Sequence, residues 1–287
     1  MAASVNEIVQ CSALAFARAL GLNTAEARLD AQVLLGQALG QSRAWLIAHG
    51  GDPLDPAQTA AFADLFERRW SGEPIAYILG EREFYSLNFK VTPAVLIPRP
   101  ETELLVELAL ERIPADGPCR VLDMGTGSGA VAVTLALHRP HADVVAVDQS
   151  VTALEVAREN AQRLGADKLR LIQSDWYDAL GGETFDLIVS NPPYIAAADP
   201  HLAQGDLRFE PATALASGTD GLDDIRAIVR GATAHLQPGG WLLFEHGYDQ
   251  AAACRDLLVQ AGFEQVASVA DLAGIERISC GQLNPRI

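Results

Sequence analysis

The second half of the chain alternates short apolar segments with longer helical segments, and this pattern constrains the fold more than any other feature. Residues 119–125 (CRVLDMG) and 142–150 (ADVVAVDQS) are two such apolar segments, and each precedes a predicted helix. Strands this apolar suit a sheet that is covered on both faces. Their alternation with helices predicts an α/β fold with a doubly wound, Rossmann-like parallel sheet. No helix separates the last two predicted strands, 263–271 and 276–283, so one of them is expected to run antiparallel.

The first part of the chain has a different pattern and predicts a separate small domain. Residues 1–75 are rich in Ala, Leu, Glu, Gln and Arg and are interrupted by turn residues, which indicates a small helical bundle. Residues 76–98 predict a β-hairpin that links this bundle to the sheet domain, 99–287. Asn23 or Thr24 is the expected cap of the second helix. Apolar residues at helical spacing are expected in the bundle core: Leu29, Val33, Leu34, Leu65, Phe66 and Trp70.

Charge and cysteine content argue against several classes of function. The formal net charge of −16 disfavours a nucleic-acid backbone as the main ligand, because phosphate contacts need surplus Lys and Arg. The same charge favours a basic protein partner. The sequence shows neither a long apolar run nor a typical signal peptide, so we expect a cytoplasmic protein without a membrane partner. The four cysteines are far apart, and His138 and His141 have no acidic or Cys partner nearby, so neither disulfides nor a metal site are predicted.

A glycine-rich turn joins the first strand of the sheet domain to its helix. In the stretch VLDMGTGSGA, Gly125, Gly127 and Gly129 alternate with Thr126 and Ser128. Glycines let the backbone turn sharply and approach a ligand without an intervening Cβ. Alone, such a turn is a weak signal, because many nucleotide-binding sheets contain one.

Acidic residues at the strand ends narrow the choice of ligand. Asp123 lies just before the first glycine, where a carboxylate suits a cationic group better than a pyrophosphate. Asp148 ends the next strand, a position typical of an acid that accepts hydrogen bonds from ribose hydroxyls. Asp175 ends the third strand, and Trp176 beside it offers a flat face for adenine. Together they favour S-adenosylmethionine (AdoMet) over a dinucleotide, while a strand-end or capping role for Asp123 and Asp175 stays open.

The fourth strand of the sheet domain ends in a proline corner, SNPPY. Neither proline has an N–H group, so the side-chain oxygen of Asn191 and the carbonyl of Pro192 are rigidly held acceptors. Two such acceptors can bind both hydrogens of a planar –NH2 group, with Tyr194 stacked on its flat face. Asn191, Pro192 and Tyr194 are therefore the predicted catalytic residues, and Pro193 completes the predicted substrate site. The corner predicts methyl transfer to nitrogen, promoted by alignment of the reactants instead of a strong base.

The sequence resembles the protein-(glutamine-N5) methyltransferases of peptide chain release factors over nearly its whole length. The NPPY box alone is shared with adenine-N6 methyltransferases. The helical N-terminal segment, IPRPETE and RFEP make the resemblance more specific, and Ser128 is a mild variation on the glycine turn. The segments that carry the resemblance are residues 72–91, 96–103, 122–130, 147–150, 173–176, 188–195, 206–215 and 242–247.

The resemblance implies a class I methyltransferase fold and a specific reaction. The expected reaction transfers the AdoMet methyl group to N5 of the glutamine in the Gly-Gly-Gln motif of class I release factors, which supports translation termination. S-adenosylhomocysteine (AdoHcy) is the expected product, and the bundle is expected to help bind the release factor. The implied AdoMet-binding residues are Gly125, Thr126, Gly127, Ser128, Gly129, Asp148, Trp176 and Asn191. The implied glutamine-binding residues are Asn191, Pro192, Pro193 and Tyr194.

Several further roles and functions stay open. Arg99 and Glu101 are expected near the acceptor entrance, and His246 in a supporting hydrogen bond. Phe209 and Glu210 either shape that entrance or belong to a packed surface loop. The alternative functions are an adenine-N6 methyltransferase that acts on nucleic acid, a non-catalytic AdoMet-sensing protein and a dehydrogenase. Because no exposed heptad pattern indicates a dimer, a monomer is expected.

Overall fold

The computed structural model of this protein describes residues 3–284, so the outermost ends of the predicted domains, 1–2 and 285–287, lie outside the described residues. The described chain forms two compact units. The helical unit runs to Gly80 and also includes Ala203–Phe209, and the sheet unit contains the rest of the described chain.

The helical unit is built from short helices with well-defined ends. Its helices are α1 (Val5–Leu20), α2 (Thr24–Leu39), α3 (Arg43–Ala48), α4 (Pro56–Trp70) and α5 (Ile75–Leu79). The side-chain oxygen of Asn23 accepts from the N–H groups of Ala25 and Glu26, at 2.9 and 3.0 Å, which confirms the predicted cap of α2. Such a cap typically stabilises a helix by about 1 kcal/mol. Similar side-chain caps begin the other long helices, at Ser4 of α1 and Asp55 of α4.

The core of the helical unit differs in part from the predicted apolar set. Its buried residues include Phe16, Ala27, Ala31, Leu34 and Leu35. Leu29 is 42% exposed and Trp70 is 56% exposed. Leu29 is two residues from both Ala27 and Ala31, which places it about 200° around the helix from the buried stripe. The prediction that Leu29 and Trp70 lie in the core is therefore wrong.

A buried ion-pair network fixes Ala203–Phe209 within the helical unit. The Arg69 side chain on α4 is only 4% exposed. Its Nε donates to Asp30 and its Nη1 donates to Asp206, both at 2.8 Å. A buried guanidinium needs such partners, because an unpaired buried charge is strongly destabilising. The pairing to Asp206 therefore accounts for the place of this sequence-distant segment in the helical unit.

A two-stranded antiparallel hairpin opens the sheet unit. Its strands are β1 (Glu81–Phe84) and β2 (Leu87–Lys90), which lie inside the predicted hairpin segment, 76–98. The predicted bounds of that segment are wrong, because residues 76–79 belong to helix α5 and no strand forms over 91–98. The two turn residues, Tyr85 and Ser86, have φ values of 51° and 62°. Positive φ at both central residues matches the right-handed twist of the flanking strands, although Asn and Gly are the usual residues there.

The main sheet has the order β5-β4-β3-β6-β7-β9-β8. These strands are β3 (Cys119–Met124), β4 (Ala142–Asp148), β5 (Arg170–Gln173), β6 (Phe185–Ser190), β7 (Leu236–Glu245), β8 (Phe263–Ala270) and β9 (Glu276–Leu283). The flanking helices are α6 (Glu103–Arg112), α7 (Ala130–His138), α8 (Val151–Leu164), α9 (Asp223–His235) and α10 (Ala251–Gln260). Helices α6 to α8 contribute to the core on one face, and α9 and α10 to the core on the other. Strand β9 runs antiparallel to both neighbours, which confirms the predicted doubly wound sheet with one reversed strand.

The carboxyl ends of three neighbouring strands position the functional residues. Met124, the last residue of β3, is in register with Val147 of β4 and Ser190 of β6. The glycine turn, Asp148 and Asn191 therefore meet at the same edge of the sheet, where ligands bind in such folds. Within residues 3–284, no helix combines the length and the apolar character needed to cross a membrane.

Candidate active site

A cavity of about 580 Å³ lies at this edge of the sheet, within the usual size range of small-ligand pockets. Predicted residues in its walls are Gly125, Gly127, Asp148, Trp176, Asn191 and Pro193. A smaller cavity of about 50 Å³ beside it is lined by Asp123, Thr126, Ser128 and again Asn191, among others. The glycine turn and the proline corner thus face one shared region, as the strand order requires.

The glycine turn adopts a conformation that favours glycine at three positions. Gly125, Gly127 and Gly129 have φ values of 71°, 55° and 82°, in the left-handed region that other residues enter only at a cost. The N–H groups of Gly125 and Thr126 both donate to the Val147 carbonyl, at 2.9 and 3.0 Å. The turn is therefore fixed to the end of β4 by its own backbone.

The glycines of the turn have different surroundings. A Cβ on Gly127 would meet no protein atom within 4 Å, so this position borders open space. A Cβ on Gly129 would lie 3.2 Å from the Cβ of Ala157, so Gly129 permits close packing of α7 against α8. Gly129 is not among the residues that line either cavity, and its contact with AdoMet stays a prediction.

Asp148 connects the glycine turn to the start of α8. Its Oδ2 accepts from the N–H of Gly127 and its Oδ1 accepts from the N–H of Ser150, both at 2.9 Å. Burial raises the pKa of this carboxyl above its ordinary value. Each carboxylate oxygen has a further lone pair, so Asp148 can hold the turn and still accept a hydrogen bond from a ligand hydroxyl.

The two other strand-end acids lie in different environments. Asp123 is 1% exposed and accepts a hydrogen bond from the Thr126 hydroxyl at 2.7 Å. Burial raises the pKa of Asp123 to about 7, so a nearby ligand cation would stabilise its charged form. Asp175 is exposed and lines the larger cavity.

Trp176 forms an aromatic wall of the larger cavity. Its indole ring lies 3.6 Å from the position that a Cβ on Gly125 would occupy. Its φ of 44° is unusual for a bulky residue, and its carbonyl accepts from the Ser174 hydroxyl at 2.8 Å. The unusual backbone conformation and this hydrogen bond hold the ring beside the glycine turn.

The proline corner is held by a chain of hydrogen bonds. Asn191 Nδ2 donates to the Thr102 hydroxyl oxygen at 3.0 Å. That hydroxyl donates to Glu245 Oε2 at 2.7 Å, and the Tyr194 hydroxyl donates to Glu245 Oε1 at 3.0 Å. Asn191 Oδ1 is buried and has no hydrogen-bond partner among the described residues. The Asn191 side-chain oxygen is therefore an unpaired acceptor, and its contact with a substrate –NH2 group stays a prediction.

The prolines and the tyrosine lie at different distances from the cavities. Pro193 lines the larger cavity, whereas Pro192 and Tyr194 are not among the residues that line either one. The Pro192 side chain is buried, and the Tyr194 ring packs partly buried against the sheet core. Stacking of Tyr194 on an acceptor amide stays a prediction.

Thr102 and Glu245 are site residues that the sequence reasoning missed. Glu245 ends β7, and its neighbour Phe244 is in register with Ser190, the residue before Asn191. An acid at the end of an apolar strand was the signal that identified Asp148, and the same signal could have identified Glu245. Thr102 lies in the IPRPETE segment, but nothing local indicates its contact with a residue 89 positions away.

The supporting hydrogen bond predicted for His246 belongs instead to Glu245. The His246 ring bonds through Nδ1 to the Gly247 carbonyl at 2.9 Å, and its Nε2 is buried without a partner in the described structure. Because side chains alternate between sheet faces along a strand, consecutive residues point in opposite directions, and it is Glu245 that reaches the proline corner.

The residues expected at the acceptor entrance lie in different environments. Glu210 is buried, pairs with Arg99 and accepts from the N–H of Ile97 at 3.0 Å, so it fixes the segment that leads to Thr102. Glu101 is exposed. Phe209 belongs to the helical unit.

AdoMet fits this set of residues. The site combines open space beside Gly127, an aromatic wall, carboxylates that suit hydroxyl and cationic groups, and an unpaired buried oxygen on Asn191. A doubly wound sheet with these features at its carboxyl edge defines a class I, AdoMet-dependent methyltransferase.

Comparison with known proteins identifies the family. Residues 101–218 match the family model "Methyltransferase small domain", and residues 12–80 match "PrmC N-terminal domain". The release factor glutamine methyltransferase of Bordetella pertussis is 57% identical, over 89% of this chain and 95% of the relative. Those of Burkholderia pseudomallei and Escherichia coli are 58% and 46% identical, each over 89% of this chain and 92% of the relative. This chain belongs to the release factor glutamine methyltransferase family.

Solved structures support the fold. The hMettl16 catalytic domain in complex with the MAT2A hairpin 6 matches with a TM-score of 0.56 at 16% identity, over 77% of this chain and 82% of that one. The T. thermophilus 16S rRNA N2 G1207 methyltransferase, solved with AdoMet and guanosine, matches with a TM-score of 0.53 at 23% identity, over 71% and 50%. At these identities the likeness shows the α/β methyltransferase fold alone.

Proposed function

We propose that this protein transfers the methyl group of AdoMet to the side-chain amide nitrogen of a glutamine in a peptide chain release factor. The observation that carries the proposal is the free acceptor at the proline corner. Asn191 Oδ1 is buried without a partner in the described structure and belongs to a residue that lines both cavities. A buried acceptor left unpaired costs free energy, so a bound –NH2 group is its natural partner.

The proline corner can orient an amide nitrogen without a strong base. Asn191 Oδ1 and the Pro192 carbonyl each accept one of the two amide hydrogens. This arrangement fixes the plane of the amide and directs the face of its nitrogen into the cavity. Alignment of this kind can contribute up to ~7–11 kcal/mol in the best intramolecular cases. Burial of the Asn191 oxygen also keeps water from competing for the hydrogen bonds.

Most of the residues that would hold AdoMet line the same cavities as Asn191. The turn at 125–129 would approach it through backbone, Asp148 would accept from its ribose hydroxyls, and Trp176 would cover its adenine. When bound, AdoMet supplies an electrophilic methyl group on a sulfonium. Asp123 would favour the cationic end of such a ligand, because a nearby cation stabilises the charged form of its carboxyl.

The protein partner is proposed to be a class I release factor that presents the glutamine of its Gly-Gly-Gln motif. The relatives carry release factor in their names, and the net charge of −16 favours a basic partner surface. The helical unit would contribute to recognition of the factor. The protein would act in the cytoplasm as a monomer, with no direct nucleic-acid or membrane partner.

Incubation with AdoMet labelled in its methyl group tests the proposal. A wild-type release factor should take up label, and a factor whose Gly-Gly-Gln glutamine is replaced by alanine should not. Equal uptake by both factors would refute the assignment of the glutamine. Label in added RNA or DNA, with none in the factor, would favour an adenine methyltransferase instead.

A further inference from the structure

Glu245 is a buried carboxylate beside the proline corner for which the proposed reaction has no direct use. It is 1% exposed and lies at the end of β7. Its two oxygens each accept one hydrogen bond from a different part of the chain, Oε2 from Thr102 and Oε1 from Tyr194. A carboxylate buried to this degree is costly unless it is well hydrogen-bonded, so its presence here calls for a physical explanation.

Glu245 determines which groups donate and which accept along this chain of hydrogen bonds. An ionised carboxylate can only accept hydrogen bonds, and a threonine hydroxyl has a single proton to donate. Because the Thr102 proton is directed at Glu245, the Thr102 oxygen can only accept from Asn191. The Asn191 amide must therefore turn its NH2 group toward Thr102, as the 3.0 Å contact shows.

The orientation of the Asn191 amide determines what the site can bind. With Nδ2 on Thr102, Oδ1 is the free atom, and it is buried without a partner in the described structure. In the opposite orientation Nδ2 would be the free atom. It would present a donor to a substrate –NH2 group, which also has only donors to offer in its plane.

We propose that Glu245 and Thr102 are positioning residues that lock the Asn191 amide with its oxygen free. They thereby select, as the methyl acceptor, a nitrogen that bears two hydrogens. This inference rests on the proposed function, since it explains how that site recognises an amide nitrogen. The hydrogen bond from Tyr194 to the same carboxylate ties both ends of the proline corner to one group.

Burial is the largest influence on the pKa of Glu245 and raises it. The hydrogen bonds from Thr102 and Tyr194 lower this pKa. Arg277 on β9 also lowers it, and Glu101, which precedes α6, raises it. A protonated Glu245 could donate to Thr102, which would free the Thr102 proton to turn toward Asn191 and remove the constraint on its amide. Turnover should therefore fall at acid pH, as Glu245 takes up a proton.

Isosteric variants of the full-length protein test the inference. Thr102→Val removes the hydroxyl at nearly constant shape, Thr102→Ser keeps it, and Glu245→Gln removes the charge and adds a donor. The kcat for release factor methylation should fall about tenfold to a hundredfold in Thr102→Val and Glu245→Gln, as expected for a misplaced buried hydrogen-bonding group. Thr102→Ser should stay within about threefold of wild type.

AdoHcy binding separates positioning from a structural role. In calorimetric titrations, the AdoHcy dissociation constant of Thr102→Val should change by less than about threefold while its kcat falls. The fall in kcat that the wild-type protein should show at acid pH should be absent in Glu245→Gln. If these variants unfold, the wild-type protein still decides the question, because its kcat should fall at acid pH more steeply than its AdoHcy affinity.

Three results would overturn the inference. The first is equal kcat in Thr102→Val and Thr102→Ser. The second is a parallel loss of AdoHcy affinity and kcat in Thr102→Val. The third is a fall in wild-type kcat at acid pH that is no steeper than the fall in AdoHcy affinity. Failure of the proposed function looks different, because the wild-type protein itself would then leave the release factor unmethylated.

Discussion

The two halves of the candidate active site are built in different ways. The donor half, which would bind the methyl donor AdoMet, consists of residues 125–129, Asp148 and Trp176. It is held by local contacts: the hydrogen bond from Gly127 to Asp148 spans 21 positions, and that from Thr126 to Asp123 spans 3. The acceptor half, which would bind the methyl-accepting amide, consists of residues 191–194, Thr102 and Glu245. It is held by hydrogen bonds that span 89, 143 and 51 positions. The donor half therefore depends on turn geometry, whereas the acceptor half depends on the tertiary fold.

The largest expected effect comes from removing the unpaired side-chain oxygen of Asn191. Asn191→Ala should lower kcat about 10²- to 10³-fold, similar to the loss of one transition-state hydrogen bond in other enzymes. Its AdoHcy affinity should change far less, because the donor half stays intact. Release factor methylation and calorimetric titration on the same preparation check this. An equal loss in both would show that the two halves are not separable.

The donor half was largely predictable from sequence because its signals are local. A strand, a glycine turn and a helix follow one another directly, and Asp148 ends the next strand. The acceptor half was only partly predictable, because proline rigidity identifies residues 191–194 but not the distant Thr102 and Glu245 that orient Asn191. The Tyr85–Ser86 turn shows the same limit, because its backbone conformation is fixed without the usual Asn or Gly.

A matched pair of glycine variants separates ligand contact from packing within the donor half. Gly127→Ala and Gly129→Ala carry similar strain, because both positions have positive φ. Gly127 borders open space, so its variant should weaken AdoHcy binding about tenfold through crowding and strain, with the smaller loss of thermal stability. Gly129→Ala should show the larger fall in Tm, because its new Cβ meets Ala157. Calorimetry and thermal unfolding check both, and a reversed order would contradict these assignments.

The smallest expected effect is on the pH dependence of stability. The pKa of Asp123 is raised to about 7 in the folded protein, from an ordinary value of 3.8. The folded protein thus holds this proton more tightly than the unfolded chain, and stability should fall as pH rises from about 4 to about 7. Asp123→Asn removes this contribution and should gain roughly a few degrees of Tm relative to wild type between pH 5 and pH 8.

Thermal unfolding of the ligand-free protein at both pH values checks this prediction. The comparison between variants cancels the contributions of other carboxyl groups, provided that they titrate alike in both. A Tm difference between Asp123→Asn and wild type that does not change with pH would contradict it.

The central claim is that the acceptor half presents only hydrogen-bond acceptors and so directs the methyl group to an amide nitrogen. Tandem mass spectrometry of a release factor treated with this protein and AdoMet tests that claim most directly. The account predicts one added methyl group, located on the side-chain nitrogen of the Gly-Gly-Gln glutamine. A methyl group on an oxygen, on another residue or on nucleic acid would contradict it.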